Sequence, residues 1–214
     1  MLGYHIFSPT IHGGDDRISW RVEGGQFSNQ EAYALFHPPG PKLGWSSLLL
    51  GPLKIPRNNF ILWLAILGKL STLDKSWLNH LDGTCILCSN GQPETHAYLF
   101  FNCPYSRMCI NVIRQHVRFP LPHHDWLTGV HWAAVKWRRK HVINASYRTL
   151  LASTVYHLWQ ERNKRIFQHT DQSAHTLACI NVEECKQRII SANLPSSVST
   201  IALFRLWKIH WTST

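Results

Sequence analysis

Cys85-Ile86-Leu87-Cys88-Ser89-Asn90-Gly91-Gln92-Pro93-Glu94-Thr95-His96-Ala97-Tyr98-Leu99-Phe100-Phe101-Asn102-Cys103-Pro104 holds the most chemistry per residue in this chain. Cys85 and Cys88 form a C-x2-C pair, and two thiolates at that spacing can hold one metal ion from a tight turn. Cys103 supplies a third sulfur, and His96 lies between them. Three Cys and one His form a structural zinc set with closed tetrahedral geometry, so zinc is the expected cofactor. The candidate metal ligands are therefore Cys85, Cys88, His96 and Cys103. The alternative is three free thiols behaving as small hydrophobes. Thr95 before an apolar run reads as a helix start, and Pro104 suits a first helical position.

Helical signals extend on both sides of this stretch. Upstream, Ser28-x-x-Glu31 is a capping box opening a short helix through Ala32, Tyr33 and Leu35, which Pro38-Pro39-Gly40-Pro41 ends. Residues 45–50 suit a helical turn. Phe60 to Lys69 is apolar nearly all round and reads as a buried helix. Thr72 is placed to cap Leu73 to His80. Downstream, Tyr105 to Val117 reads as a helix, and Asp125 caps another from Trp126 to His141. The strongest signal runs from Ser146 to Gln168, where Tyr147, Leu151, Val155, Leu158 and Ile166 share a face. A further helix is predicted over about 173–191, and a last apolar piece runs from Ile201 to Trp211. Residues 1–25 suit two short strands or a hairpin. The fold class is mainly α. A small helical zinc-knuckle-like unit comes first, a basic helical region follows, and short strands are expected near the N-terminus.

The 214 residues include 22 Lys plus Arg and 12 Asp plus Glu, a formal charge of +10. Residues 1–103 hold seven of each sign, so the whole excess falls in 104–214. Its dense clusters are Lys136, Arg138, Arg139 and Lys140, and Arg162, Lys164 and Arg165. Such blocks attract polyanions, which makes these seven the candidate nucleic-acid contacts and RNA or DNA the expected partner. Solvated helix faces are the plain alternative. Trp132, Trp137 and Trp159 lie among the cations; they suit base stacking or, more commonly at helical spacing, a core. The clusters are also compatible with nuclear import.

Several classes are disfavoured. The longest apolar run, Phe60 to Leu67, is far short of the ~20 residues of a membrane span. No secretory signal is visible, and clustered cysteines suit a reducing, intracellular compartment. No Tyr-x-Asp-Asp, His-Glu-x-x-His, Gly-x-Ser-x-Gly or phosphate loop occurs. The expectation is a protein that is not an enzyme and takes no small-molecule substrate.

Taken together, these pieces resemble a family. Trp20, Gly25-x-Phe27-Ser28 and Ala32-Tyr33 look like its opening. Trp45, Lys54-Ile55-Pro56-Arg57, Phe60-x-x-Trp63 and Gly68-x-Leu70-x-Thr72 look like its middle. Cys85-x-x-Cys88, Glu94-Thr95 and Leu99-Phe100-Phe101-x-Cys103-Pro104 complete it. The pattern is that of the zinc-binding domain following the reverse transcriptase of plant non-LTR (LINE-type) retrotransposons. Trp159-x-Glu161-Arg162-Asn163-x-Arg165-Ile166-Phe167 resembles the tail often found after it. The resemblance implies a zinc-binding domain over 15–120, a basic helical region over 121–214, and a fragment without the polymerase. It also implies a non-catalytic module that binds nucleic acid, or a decayed remnant that binds neither zinc nor nucleic acid.

This chain departs from the family pattern at one ligand. The usual His position holds Tyr98, and a His stands two residues earlier as His96. On a helix, positions 96 and 98 point ~200° apart, whereas on an extended segment they share a face. The expectation is a weakened or lost zinc site that keeps Cys85, Cys88 and Cys103. His96, His80 and Cys109 are the candidates for the fourth ligand, in that order.

Overall fold

The structure, a computed structural model, describes residues 28–36, 43–75, 82–123 and 125–210. The expected N-terminal strands and His80 lie outside these residues. The chain divides into two compact units, Met1–Lys42 and Leu43–Thr214. In the first, α1 (Asn29–Phe36) begins directly after Ser28, as the capping box requires.

The second unit is helical: α2 (Ser46–Leu49), α3 (Pro56–Ile66), α4 (Pro104–Val117), α5 (Trp126–Lys136), α6 (Val142–Phe167), α7 (Ala174–Ile190) and α8 (Val198–Trp207). Local chemistry sets most of the boundaries. Pro56 and Pro104 open α3 and α4 at positions where no amide is needed. Asp125, Ser173 and Ser197 cap α5, α7 and α8 by accepting from Thr128, Thr176 and Thr200 amides. No strand occurs among the described residues, and none of their helices is long and apolar enough to cross a membrane.

Helix α6 is the central post. It packs on α3, α7 and α8, while α4 packs on α7. The sequence shows one apolar stripe, yet every residue from 148 to 155 is buried. The polar members of that run find partners inside. Thr149 Oγ1 donates to the Leu53 carbonyl at 3.0 Å, and Asn181 Nδ2 donates to Thr154 Oγ1 at 2.9 Å. This stretch of a weakly amphipathic helix is therefore buried on every side because its small hydroxyls are satisfied. Leu62, Phe100, Ile113, Leu151, Leu177 and Trp207 belong to one continuous core. Trp137 and Trp159 are also buried, which removes them as base-stacking platforms.

Candidate metal centre

The C-x2-C pair lies in a loop tied at its base. Thr84 and Pro93 form an isolated antiparallel bridge, Cys85 N donates to the Gln92 carbonyl at 2.9 Å, and Glu94 N donates to Gly83 at 2.9 Å. Ser89 and Gly91 take positive φ, 52° and 66°, to reverse the chain just after Cys88. The path to Cys103 is helical. Thr95 Oγ1 accepts from Tyr98 N at 3.1 Å, and the turn then widens to a π-turn over Tyr98–Asn102, closed by Cys103 N on the Tyr98 carbonyl at 2.7 Å. Such widened turns recur at functional sites.

The result is convergence: the sulfurs of Cys85, Cys88 and Cys103 all lie within 4.8 Å of one another. Cys85 Sγ and Cys103 Sγ are 3.8 Å apart. A tetrahedral ion with metal–sulfur bonds of ~2.3 Å puts its sulfurs about 3.8 Å apart, so the spacing fits a shared ion. The electrostatics also suit one. Cys103 stands at the cap of α4, where the Cys85 thiol and the Ser106 and Tyr105 amides favour its thiolate and bring its pKa down to about 6 against the effect of burial. The same hydrogen bond, together with burial, pushes Cys85 up.

Tyr98, not His96, stands beside the sulfurs. Its hydroxyl shares a hydrogen bond with Cys88 Sγ at 3.3 Å. Burial, then the contact with Cys88, pushes its pKa up, so the phenol stays protonated. His96 is turned away because the segment is helical. It is 8% exposed, with Nδ1 3.3 Å from Thr72 Oγ1 and no partner on Nε2 among the described residues. Cys109 is buried on α4 and is not part of the sulfur group. Neither His96 nor Cys109 supplies the fourth corner in this arrangement.

Residues 27–109 match the family model described as zinc-binding in reverse transcriptase. No curated protein and no solved structure matches the chain. The matched segment ends inside α4 and includes all three clustered cysteines.

Helix α6 reaches back into the matched segment from outside it. Arg165 Nη1 donates to the Leu87 carbonyl at 2.9 Å, between the paired cysteines, and Nε donates to Glu161 at 2.8 Å. Its guanidinium lies over the Tyr105 ring, 4.6 Å from the centroid. One turn earlier, Arg162 is 2% exposed and pairs with the fully buried Glu94 at 2.8 Å. Glu94 also accepts from Leu73 N at 3.0 Å, and Arg162 also donates to the Ser71 carbonyl at 3.1 Å. Arg162 and Arg165, expected on a nucleic-acid face, are thus engaged internally. The cause is the unpaired carboxylate and carbonyls of the loop, which need these donors. Lys164, Lys136, Arg138, Arg139 and Lys140 remain exposed.

Glu94 and Glu161 were not among the sequence candidates. The i, i+4 spacing of Glu161 and Arg165 was a visible signal. The pairing of Glu94 with Arg162, 68 positions apart, had none.

Proposed function

We propose that this chain is a non-catalytic, zinc-binding module derived from the reverse transcriptase polyprotein of a plant LINE-type retrotransposon, and that it binds nucleic acid. The observation that carries the zinc reading is the convergence of Cys85, Cys88 and Cys103 at spacing suited to one tetrahedral ion. These three would hold the ion, which would fix the loop to α4. The match over 27–109 supports the origin. The exposed cations Lys136, Arg138, Arg139 and Lys140 support a polyanion partner. Zinc content of the purified protein, with and without Cys103→Ser, tests the metal. Oligonucleotide binding at two salt concentrations tests the partner.

A second reading has its own observation. The phenol of Tyr98 occupies the place beside Cys88 where the resemblance expects an imidazole. Protonated phenol is a poor zinc donor, so this reading is a remnant that has lost its metal. Zinc absent from protein purified under reducing conditions, and not retained after reconstitution, favours it.

A further inference from the structure

A cleft of about 570 Å³ opens beside the start of α6, between the loop after α2 and the segment after α7. That volume is within the ~300–1,000 Å³ of small-ligand sites. Its cations are Arg138, Lys140 and Arg148, and no carboxylate lines it among the described residues. Leu50, Pro52, Val142, Leu194 and Pro195 give it an apolar wall.

Arg148 is the unusual member. It is 6% exposed, yet no carboxylate pairs with it among the described residues. Its Nη1 donates to the Trp137 carbonyl and, at 3.4 Å, to the Arg139 carbonyl. Its Nε has no partner among the described residues. Gly51, at φ +146°, faces the guanidinium; a Cβ there would stand 3.1 Å from Nη2. The only residue without a side chain therefore sits where any other would crowd the cation. A buried cation without a counter-charge is unfavourable, and an anion in the cleft would relieve it.

We propose that this cleft takes one nucleotide of a single-stranded nucleic acid, with its phosphate on Arg138, Lys140 and Arg148 and its base or sugar against the apolar wall. The proposal rests on the nucleic-acid reading above and assigns it a site. A strand fits better than a lone phosphate because Lys136 and Arg139, exposed and within two residues of the lining cations Arg138 and Lys140, offer places for neighbouring phosphates. A single strand fits better than a duplex because only an unpaired base can enter.

The test is fluorescence anisotropy of the full chain with a short labelled single-stranded oligonucleotide, as RNA and as DNA. Leu50→Asp adds a carboxylate at a position that is 63% exposed, so the fold is retained, as a melting curve checks. It is expected to weaken binding by about tenfold or more, the scale of one lost base-and-phosphate contact. Leu50→Asn, which removes the apolar contact without adding charge, is expected to fall between. Lys69→Ala, at an exposed lysine that does not line the cleft, is expected to change affinity about twofold or less. Duplex of the same sequence is expected to bind more weakly than the single strand. Wild-type affinity in Leu50→Asp, or equal affinity for duplex, overturns the cleft assignment alone. Anionic phospholipid vesicles that displace the oligonucleotide from wild type, and bind Leu50→Asp poorly, transfer the cleft to lipid and overturn it. No oligonucleotide binding by the wild-type chain overturns both the cleft and the nucleic-acid reading.

Discussion

Arg165 Nη1 donates to the main-chain carbonyl of Leu87 at 2.9 Å, across 78 residues of chain. Leu87 lies inside the C-x2-C turn, so α6 fixes the orientation of the peptide between two candidate ligand cysteines. Partners that orient metal ligands from outside commonly matter ten- to hundredfold in affinity. Arg165→Met keeps the aliphatic stem and removes the donors. It is expected to weaken zinc binding by about tenfold or more, read by competition with a chromophoric chelator. Unchanged affinity would reduce Arg165 to a helix-surface contact.

Tyr98 is the second lever on the site. Tyr98→His offers a nitrogen at the position beside Cys88 and is expected to tighten zinc binding at least about tenfold, since a neutral imidazole is a good zinc donor and a protonated phenol is not. Tyr98→Phe is expected to bind like wild type. The same chelator competition reads both. A Tyr98→Phe protein that loses its zinc would make the phenol oxygen a ligand instead.

The Glu94–Arg162 pair is buried at both ends. Removing one charge strands the other in the core, a loss of about 3–5 kcal/mol. Glu94→Gln is therefore expected to lower the urea midpoint substantially, with the unfolding slope unchanged. Bulk salt is expected to have little influence on this loss, because the pair is shielded from solvent. A loss under about 1 kcal/mol, the surface-pair range, would contradict the burial.

Glu184 joins α7 to α3 and α6. Its carboxylate accepts from Arg57 at 2.6 Å, Ser153 at 2.6 Å, Asn58 at 2.8 Å and His157 at 3.1 Å. Burial alone would raise its pKa. The donors His157, Ser153, Arg57 and Asn58 outweigh burial and hold the group well below the usual carboxylate range. A depressed folded pKa means that the stabilisation is full above the unfolded value of about 4.3 and fades as pH falls below it. Glu184→Gln is expected to be less stable than wild type at neutral pH, with the gap closing below about pH 4. A gap that is flat down to about pH 2 would contradict this. Denaturant titrations across the range provide the measurement.

Much of the fold was legible because its signals are local. Asp125, Pro104 and the apolar run after Phe60 act within one helical turn, and each marks a helix boundary or interior in the structure. The convergence of Cys85, Cys88 and Cys103 was legible from spacing for the same reason. The long-range terms were not. Arg162 and Arg165 read as surface charge because their acceptors, Glu94 and the Leu87 carbonyl, are far away in sequence. His96 attracted attention as a ligand, but the helical turn after Thr95 decided between two neighbours two positions apart. Arg148 gave no signal at all, since a lone cation in an apolar helix has no sequence mark of its burial.

Gly129 shows the same limit in packing. A Cβ built on it stands 2.4 Å from Cε2 of Phe101, which is itself buried against Trp126. Gly129 therefore lets α5 lie close to the π-turn that carries Tyr98. Gly129→Ala is expected to destabilise by about 1–3 kcal/mol through overpacking, despite the better helix propensity of alanine. A thermal melt with an unchanged or raised midpoint would contradict this.

The convergence of three sulfurs implies one metal centre at Cys85, Cys88 and Cys103, a claim that cobalt substitution reads without intermediates. Cobalt(II) added to the reduced protein is expected to give one equivalent of thiolate-to-metal charge-transfer absorption, displaced by zinc and abolished by Cys103→Ser. Absorption that never rises above that of the Cys103→Ser protein would contradict the claim.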